Sequence, residues 1–213
     1  MPVNDLLQYS EAAVKAARAA GALLLAGLNE GERTIEFKGD NDIVTEMDRR
    51  AEEIVSEALS SAFPGIAILA EEEGASGPAS EMKWIIDPLD GTNSYAHRVP
   101  HFCVSIGLEV SGEPAVGVVY NPCLDECFTA VRGDGACLNG RPIRVSGTEE
   151  LKRSLVATGF PYDRATSPEN NVNYMAAFIP KIQGIRRMGS AALDLCYTAA
   201  GRFDGYWELK LQP

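Results

Sequence analysis

One apolar run of the sequence ends in two carboxylates three residues apart, Asp87 and Asp90. Pro88 fixes φ and lacks an N–H donor, and Gly91 permits a sharp turn. Both carboxylates and the intervening Leu89 carbonyl can therefore face one point. Hard cations such as Mg²⁺ prefer an all-oxygen arrangement of this kind. The segment predicts a metal and phosphate site.

A second apolar run, residues 66–69, also ends in acidic residues, starting at Glu71. If the two runs form adjacent strands, Glu71 lies beside Asp87 and Asp90, and a cluster of like charges requires a cation. Taken alone, Asp-Pro and Asp-Gly are ordinary turn dipeptides. The second acidic strand end favours the metal site over that simpler interpretation.

Helical periodicity predicts two helices in the N-terminal part of the chain. Asn4 is expected to cap the first, which ends near Gly31, and the spacing Thr45-x-x-Asp48 opens the second, with Thr45 as its N-cap. The expected apolar faces are Leu7, Val14, Ala17, Leu24 and Leu25 in the first helix and Ala51, Ile54, Val55, Ala58 and Leu59 in the second.

Strand-length apolar runs between residues 102 and 145 alternate with turn dipeptides and predict an antiparallel meander. Its strands are expected at 103–110, 115–120 and 126–131. The remaining predicted elements are a strand at 154–158, a helix at 168–179 started by Ser167, a helix at 190–200 closed by Gly201, and a strand at 203–211. Alternating helices and sheets without a linker predict layers around a continuous core.

Composition restricts the class of protein. A chain of 213 residues with 46% hydrophobic content can bury a core as one large or two fused small domains. The net charge of −11 argues against nucleic-acid and anionic-membrane surfaces.

The N-terminus lacks the basic region of a signal peptide, and the apolar patch 19–28 is too short to span a bilayer. The spacing of Cys123 and Cys127 suggests a redox or zinc site, but no second cysteine pair or histidine accompanies it. The five cysteines are therefore expected to be reduced core thiols, and we predict a cytoplasmic protein.

The chain resembles the Mg²⁺-dependent inositol monophosphatases, within the wider lithium-sensitive sugar phosphatases, and their bacterial branch most closely. The resemblance extends over nearly the whole chain. It rests on Lys38, residues 42–48, the Glu71 and Asp87 segments, and residues 97–107, 157–161, 189–192 and 206–208.

This resemblance implies an α+β fold, a layered αβαβα sandwich of the sugar phosphatase type. We expect a single phosphatase domain over residues 1–213. Its N-terminal α+β half, residues 1–150, would carry the metal site, and residues 151–213 would form a partial C-terminal α/β half.

The resemblance also implies a role for each residue of the acidic cluster. Glu71, Asp87 and the Leu89 carbonyl correspond to ligands of a first Mg²⁺, and Asp87 bridges to a second ion also bound by Asp90. The complete site would hold two or three ions.

Catalytic and substrate-binding residues follow from the same resemblance. Thr92 would hold the nucleophilic water, and Asp48 would accept the proton through the Thr92 hydroxyl, since a threonine is too weak a base without a carboxylate behind it. The substrate-binding positions are Lys38, Gly91, Thr92, Gly189, Ser190, Ala191 and Glu208.

Two departures from the family pattern stand out. Asn93-Ser94 replaces a second Thr and an Asn after Thr92, which affects only the supporting hydrogen bonds. The sequence ends at Pro213, where relatives continue into a Trp-Asp segment whose aspartate is the remaining ligand of the second ion. We therefore expect that the C-terminal part of the fold is missing and that only the first ion has its full set of carboxylates.

The predicted function is Mg²⁺-dependent, lithium-sensitive hydrolysis of inositol monophosphate or a related small sugar phosphate. Fructose-1,6-bisphosphate hydrolysis on the same fold is an alternative, whereas Asn93-Ser94 weighs against a nucleotide 3′-phosphate substrate. A regulatory, protein-binding member linked to transcription is a second alternative. The expected partners are a small phosphorylated polyol or sugar and a second copy of the chain, with no membrane and no direct nucleic-acid contact.

Overall fold

The computed structural model describes residues 2–28, 35–37 and 43–211. The predicted substrate residue Lys38 lies outside these described residues.

The helices are α1 (Val3–Gly27), α2 (Glu46–Ala62), α3 (Thr92–Ala96), α4 (Val172–Phe178) and α5 (Ala191–Ala199). The strands are β1 (Ile35–Phe37), β2 (Ile43–Thr45), β3 (Ala67–Ala70), β4 (Gly74–Ser76), β5 (Met82–Asp90), β6 (Cys103–Val110), β7 (Glu113–Asn121), β8 (Glu126–Val131), β9 (Gly135–Leu138), β10 (Arg141–Pro142), β11 (Leu155–Thr158), β12 (Gly184–Arg186) and β13 (Gly205–Trp207).

Helix α1 differs from its prediction at both ends and in its buried face. Its N-cap is Pro2, with no side-chain cap, so Asn4 lies inside the helix, which ends at Gly27. The buried face is Leu6, Ala13, Ala16, Ala17, Ala20 and Leu24, whereas Leu7 and Leu25 are exposed. Small residues let the helix lie close to the sheet: a Cβ at Gly21 would come within 2.7 Å of the Tyr120 ring. The periodicity correctly predicted a helix, but alanines and not leucines form most of the contact between this helix and the sheet.

Helix α2 begins as predicted. The Thr45 side chain accepts a hydrogen bond from the Met47 N–H, and the Asp48 carboxylate accepts one from the Thr45 N–H, which completes a capping box. Ala51, Val55 and Leu59 are buried, while Ala58 is exposed.

An eight-stranded sheet in the order β10-β9-β8-β7-β6-β5-β3-β4 forms the main layer. Strands β6, β7 and β8 form the predicted antiparallel meander, and β9, which was not predicted, continues it. Strand β3 runs parallel to β5. The edge strand β4 was not predicted. Helices α1 and α2 cover one face of this sheet, and the larger core lies between these helices and the sheet.

A three-stranded parallel sheet in the order β12-β11-β13 forms a second layer. A smaller core of Cys103, Phe128, Ala157, Leu193, Tyr197 and Phe203 joins it through α5 to the other face of the large sheet. Phe178 of α4 stacks on Trp207 of β13, with ring centroids 4.6 Å apart. The layers therefore follow the order helix, sheet, helix, sheet, helix, which confirms the α+β sandwich.

Two C-terminal elements, α4 and β13, differ from their predicted bounds, and a third, β12, was not predicted. Helix α4 begins at Val172, because Asn171 adopts a left-handed conformation with φ of 70°, and not at residue 168. Strand β13 covers only Gly205–Trp207, and β12 was not predicted. Helix α5 is capped by Ser190, and Gly201 follows it with φ of 73°, as expected. Within the described part of the chain, no helix is long and apolar enough to cross a membrane.

Candidate active site

Two parallel strands bring the predicted acidic residues to one edge. The register of β3 and β5 pairs Ala70 with Ile86, and the Glu71 N–H donates to the Ile86 carbonyl at 3.1 Å. Glu71 is therefore adjacent to Asp87, as the two acidic strand ends predicted. Adjacency arises here from the sheet register and not from sequence proximity.

Asp87 lies in an environment that disfavours its charged form. Its side chain is partly accessible to solvent, yet the surrounding protein atoms desolvate it and raise its pKa well above the usual range, with further increases from the charges of Asp90 and Glu71. The Leu89 N–H opposes this by donating to Asp87 Oδ1 at 3.0 Å. A carboxylate in this environment is stabilised by a cation.

Asp90 is held by groups from the start of α5. The Ser190 hydroxyl and the Ala192 N–H both donate to Asp90 Oδ2, each at 2.7 Å. Desolvation raises the pKa of Asp90, these hydrogen bonds lower it, and the charge of Glu208 raises it. The Ser190 hydroxyl and the Ala192 N–H, which lie beside the predicted polyol-binding residues, thus donate to Asp90 and not outward.

Gly91 provides the turn that follows the strand. Its φ is 103°, and a Cβ at this position would lie 2.9 Å from the His101 carbonyl oxygen and 3.2 Å from Phe102. A side chain is excluded by both the conformation and the packing. The Asp-Gly turn is therefore enforced by the tertiary structure as well as by the local sequence.

Thr92 and Asp48 meet across 44 positions of sequence, as the resemblance implied. The Thr92 hydroxyl lies 3.1 Å from Asp48 Oδ1 and 3.0 Å from the Leu89 carbonyl oxygen. Asp48 Oδ2 accepts from the Thr45 N–H at 2.8 Å and from its hydroxyl at 2.6 Å. Burial raises the pKa of Asp48, and the bonds from Thr45 and Thr92 oppose that increase. The helix cap thus fixes the carboxylate that contacts Thr92.

Glu52 is a site-supporting residue that sequence reasoning missed. It is 1% exposed, and its two carboxylate oxygens accept the N–H groups of Glu72 at 2.8 Å and Glu73 at 2.9 Å. Burial is the main cause that raises its pKa. Glu52 therefore holds the loop that begins at Glu71. The available signal was an acid directly beside the apolar face of α2.

Asp194 is a second acid that was missed. It is 2% exposed on α5, and within the described chain its Oδ1 has no hydrogen-bond partner. Burial raises its pKa to about 7, with a further increase from Asp90 and a decrease from Arg187. An acid on the buried face of a short apolar helix was the signal.

The remaining predicted substrate residues lie around the acids. Gly189 has φ of 94°, and a Cβ there would lie 3.0 Å from the Arg187 guanidinium. Ser190 is fully buried as the α5 cap, and its neighbour Ala191 is partly accessible. The Glu208 carboxylate accepts the Tyr206 hydroxyl and raises the pKa of Asp90 by its charge, so it lies on the same side of the site.

The donor set fits a hard cation. Its groups are carboxylates and a carbonyl, they are anionic overall, and they destabilise one another when ionised. Across the described ranges, no group of three or more His, Cys, Asp or Glu side chains is already arranged as a metal cage. The ligand assignment thus stays a prediction, supported by the mutual repulsion of Asp87, Asp90 and Glu71.

The chain is similar to known proteins over nearly its whole length. Residues 5–213 match the sequence profile of the inositol monophosphatase family. An inositol-1-monophosphatase of Synechocystis sp. is 46% identical over 211 residues, which are 99% of this chain and 74% of that protein. A Nus factor SuhB of Pseudomonas aeruginosa is 43% identical over 93% of this chain and 76% of its own length.

A solved structure shows the same fold. The inositol monophosphatase from Anabaena (Nostoc) sp. PCC 7120 superposes with a TM-score of 0.88 at 47% identity, over 98% of this chain and 77% of that chain. The chain therefore spans about three quarters of the length of these relatives. It belongs to the inositol monophosphatase family of metal-dependent phosphomonoesterases.

Proposed function

We propose that this chain is a Mg²⁺-dependent phosphatase that hydrolyses inositol monophosphate or a related small sugar phosphate. The observation that carries the proposal is the contact between the Thr92 hydroxyl and the buried Asp48 carboxylate, beside the acidic strand ends. A weak nucleophile-positioning group, a buried base and a cluster of metal-ligand oxygens are the components that phosphomonoester hydrolysis requires.

Thr92 and Asp48 would act as one unit. The hydroxyl has a single proton and two acceptors within reach, Asp48 Oδ1 and the Leu89 carbonyl. When the proton points to Asp48, the lone pairs of the Thr92 oxygen can accept a hydrogen bond from a water and orient it. Asp48 then receives a proton by way of the threonine. The hydrogen bonds from Thr45 hold the carboxylate for this role.

Glu71, Asp87, the Leu89 carbonyl and Asp90 would hold the cations. Bound Mg²⁺ would neutralise phosphate charge and make a water more acidic. The Ser190 hydroxyl, which donates to Asp90 Oδ2 at 2.7 Å, would orient Asp90 for this role.

Substrate recognition would be divided between the phosphate and the polyol. The N–H groups of Gly91 and Thr92 follow the turn and are assigned to phosphate oxygens, and Lys38 would add positive potential. The polyol would contact Gly189, Ala191, Ser190 and Glu208. Glu208 is the best hydrogen-bond acceptor of this set because it is the one carboxylate side chain among the four residues.

The test is phosphate release from a panel of substrates during Mg²⁺ titration. We expect inositol 1-phosphate to give a higher kcat/KM than fructose 1,6-bisphosphate or adenosine 3′,5′-bisphosphate, and EDTA to abolish turnover. Thr92→Ser should retain activity that Thr92→Ala loses, which excludes a contaminating phosphatase. Metal-independent turnover, or a preference for the nucleotide, would contradict the proposal.

Li⁺ is expected to inhibit this activity by competing for a cation position. The inhibition should be uncompetitive or mixed with respect to substrate. Steady-state kinetics at several Li⁺ concentrations measure it, and full activity in high Li⁺, with Na⁺ as the matched control, would assign the chain to a resistant branch.

A second candidate function is a regulatory role through protein binding, linked to transcription. It is supported by the relatives named Nus factor SuhB, which are 41–43% identical to this chain. Binding to purified transcription proteins, measured with wild type and Thr92→Ala, separates the two functions. Equal binding by both proteins would support a role that does not depend on hydrolysis.

We further propose that the chain acts as a single phosphatase domain with halves at residues 1–150 and 151–213, as a homodimer in the cytoplasm. The small core shared by α5 and both sheets supports one domain. The five free cysteines fit a reducing compartment. Exposed Tyr162, Val172, Tyr174 and Ile179 offer apolar surface for self-association. Light scattering coupled to size exclusion tests the dimer.

A further inference from the structure

Glu208 lies at a position that depends on a glycine far away in the sequence. A Cβ added at Gly159 would overlap all three atoms of the Glu208 carboxyl group. Gly159 is buried, and its φ is not in the left-handed region, so the backbone itself would accept an alanine. The absence of a side chain at residue 159 is what leaves room for the carboxylate.

A buried polar clamp fixes the same region. The Asn171 amide N–H groups donate to Thr158 Oγ1 at 2.8 Å and to the Gly159 carbonyl at 2.6 Å, and Asn171 Oδ1 accepts the Trp207 indole N–H at 2.6 Å. The Thr158 hydroxyl donates to the Trp207 carbonyl at 2.8 Å. Thr158 and Asn171 are 0% and 1% exposed. Every polar atom of the Asn171 side chain is therefore used to join Gly159 to the residue before Glu208.

The clamp extends to the carboxylate itself. Trp207 is held by the Asn171 bond and by stacking on Phe178. The Tyr206 hydroxyl donates to Glu208 Oε2. Tyr206, Trp207 and Gly159 thus together fix the position of Glu208. Its charge acts on Asp90 and Asp194, so the carboxylate lies on their side of the site.

We propose that Gly159 and Asn171 are positioning residues that set selectivity for polyol phosphates by fixing the Glu208 carboxylate beside the substrate. This inference rests on the proposed function. A fixed carboxylate accepts hydrogen bonds from a polyol hydroxyl without reordering, whereas a displaced one loses that contact. A substrate without hydroxyl groups near the phosphate gains nothing from the clamp.

The experiment compares inositol 1-phosphate with p-nitrophenyl phosphate in Gly159→Ala. We expect KM for inositol 1-phosphate to rise about tenfold, the value of one hydrogen bond to a charged group, while kcat/KM for p-nitrophenyl phosphate stays within about twofold. Gly205→Ala is the matched control: it lies three residues before Glu208, and the nearest atom to its added Cβ is Val156 Cγ1 at 3.8 Å. It should leave both substrates unchanged.

A double-mutant cycle tests the direct contact. Glu208→Asp shortens the side chain by one methylene, so it should relieve the overlap in Gly159→Ala. We expect the double variant to bind inositol 1-phosphate no more weakly than Glu208→Asp alone. Additive losses in the cycle would overturn the contact between the two residues.

Asn171→Asp provides a second route if Gly159→Ala does not fold. The carboxylate keeps the acceptor for Trp207 but cannot donate to Thr158 or Gly159, and residue size and tolerance of positive φ are retained. KM for inositol 1-phosphate should rise selectively here too. An equal loss for both substrates would mean a purely structural role and would overturn the proposal.

The two levels of proposal fail in different ways. If wild type hydrolyses neither substrate with Mg²⁺, the proposed function is wrong and this inference with it. If wild type is active and the Gly159 and Asn171 variants all keep the wild-type ratio of KM for inositol 1-phosphate to KM for p-nitrophenyl phosphate, only the positioning role is wrong.

Discussion

The two sides of the site are built in different ways. On the large-sheet side, Asp48, Asp87 and Thr92 are held by groups at most 44 residues away, such as the Thr45 cap and the Leu89 backbone. On the small-sheet side, Asp90 is held by Ser190 across 100 residues, and Glu208 depends on Gly159. The first side is held by the large sheet and the start of α2. On the second side, the bonds to Asp90 require the two sheets to dock, and the position of Glu208 requires β13 to pair with β11.

The largest expected effect distinguishes the two aspartates. Asp87→Asn and Asp90→Asn should each reduce kcat/KM by about 10³-fold or more. Each substitution removes a negative charge that is expected to stabilise the bound cation by several kcal/mol. Only Asp90→Asn should also lower the thermal midpoint, since it weakens the bonds from Ser190 and Ala192.

Asp87→Asn removes a repelled, desolvated charge and should leave the metal-free thermal midpoint equal or higher. Kinetics and scanning calorimetry on both variants measure the difference. Equal destabilisation by both variants would contradict the division into a local and a docked side.

A smaller effect is expected on the large-sheet side at Thr92. Thr92→Ala should lower kcat by about 10²-fold, the typical value of proton transfer by a positioned group, and change Mg²⁺ affinity little. The hydroxyl contacts Asp48 and the Leu89 carbonyl, and it is not itself assigned to an ion. Single-turnover kinetics and calorimetric Mg²⁺ titration test this, with Thr92→Ser as control. Unchanged turnover in Thr92→Ala would show that another group orients the water.

Ser190→Ala tests the docked side with a single atom. It removes the hydroxyl that donates to Asp90 and the side-chain cap that accepts from the Leu193 N–H. We expect about a tenfold loss of kcat/KM and a decrease of about 1–2 kcal/mol in the free energy of unfolding. Urea unfolding and kinetics check both, and Ser154→Ala, in a buried serine outside the site, is the comparison. A loss of stability without a loss of activity would show that Asp90 needs no support from α5.

The smallest effect on activity is expected at Glu52. Glu52→Gln leaves one carbonyl oxygen for the two N–H groups of Glu72 and Glu73, so the free energy of unfolding should fall by about 1–3 kcal/mol. Turnover should fall only a few-fold at saturating Mg²⁺, since Glu71 keeps its backbone bond to Ile86. Glu53→Gln, at an exposed neighbouring position, is the matched control and should have no effect.

Much of the large-sheet side could be predicted from the sequence. The Thr45 cap, the strand ending at Asp87 and the meander after residue 102 all depend on short-range patterns of hydrophobicity, turn residues and capping. One error there concerns packing: the buried face of α1 is alanine-rich, because close approach to the sheet favours small side chains over the leucines that the pattern emphasised. Glu52 was missed because periodicity alone does not show which loop a helix contacts.

The C-terminal part was predicted less well. The start of α4 is displaced by the left-handed Asn171, and that conformation is favoured by three side-chain bonds to residues distant in the sequence. No local pattern specifies such bonds. Strand β12, which was not predicted, is three residues long and is stabilised as a strand only by pairing with β11.

The sequence by itself determined the chemistry of this protein. The types and spacing of Asp87, Leu89, Asp90, Gly91 and Thr92 predict a turn of oxygen atoms suited to a cation, because backbone conformation within a few residues depends on local sterics. Only the tertiary structure decided how these groups are supported. The bonds from Ser190 to Asp90 exist because the two sheets pack through α5, and the free energy of that packing is summed over the whole core. The clamp of Asn171 and the space at Gly159 for Glu208 exist because β13 pairs with β11 within the small sheet.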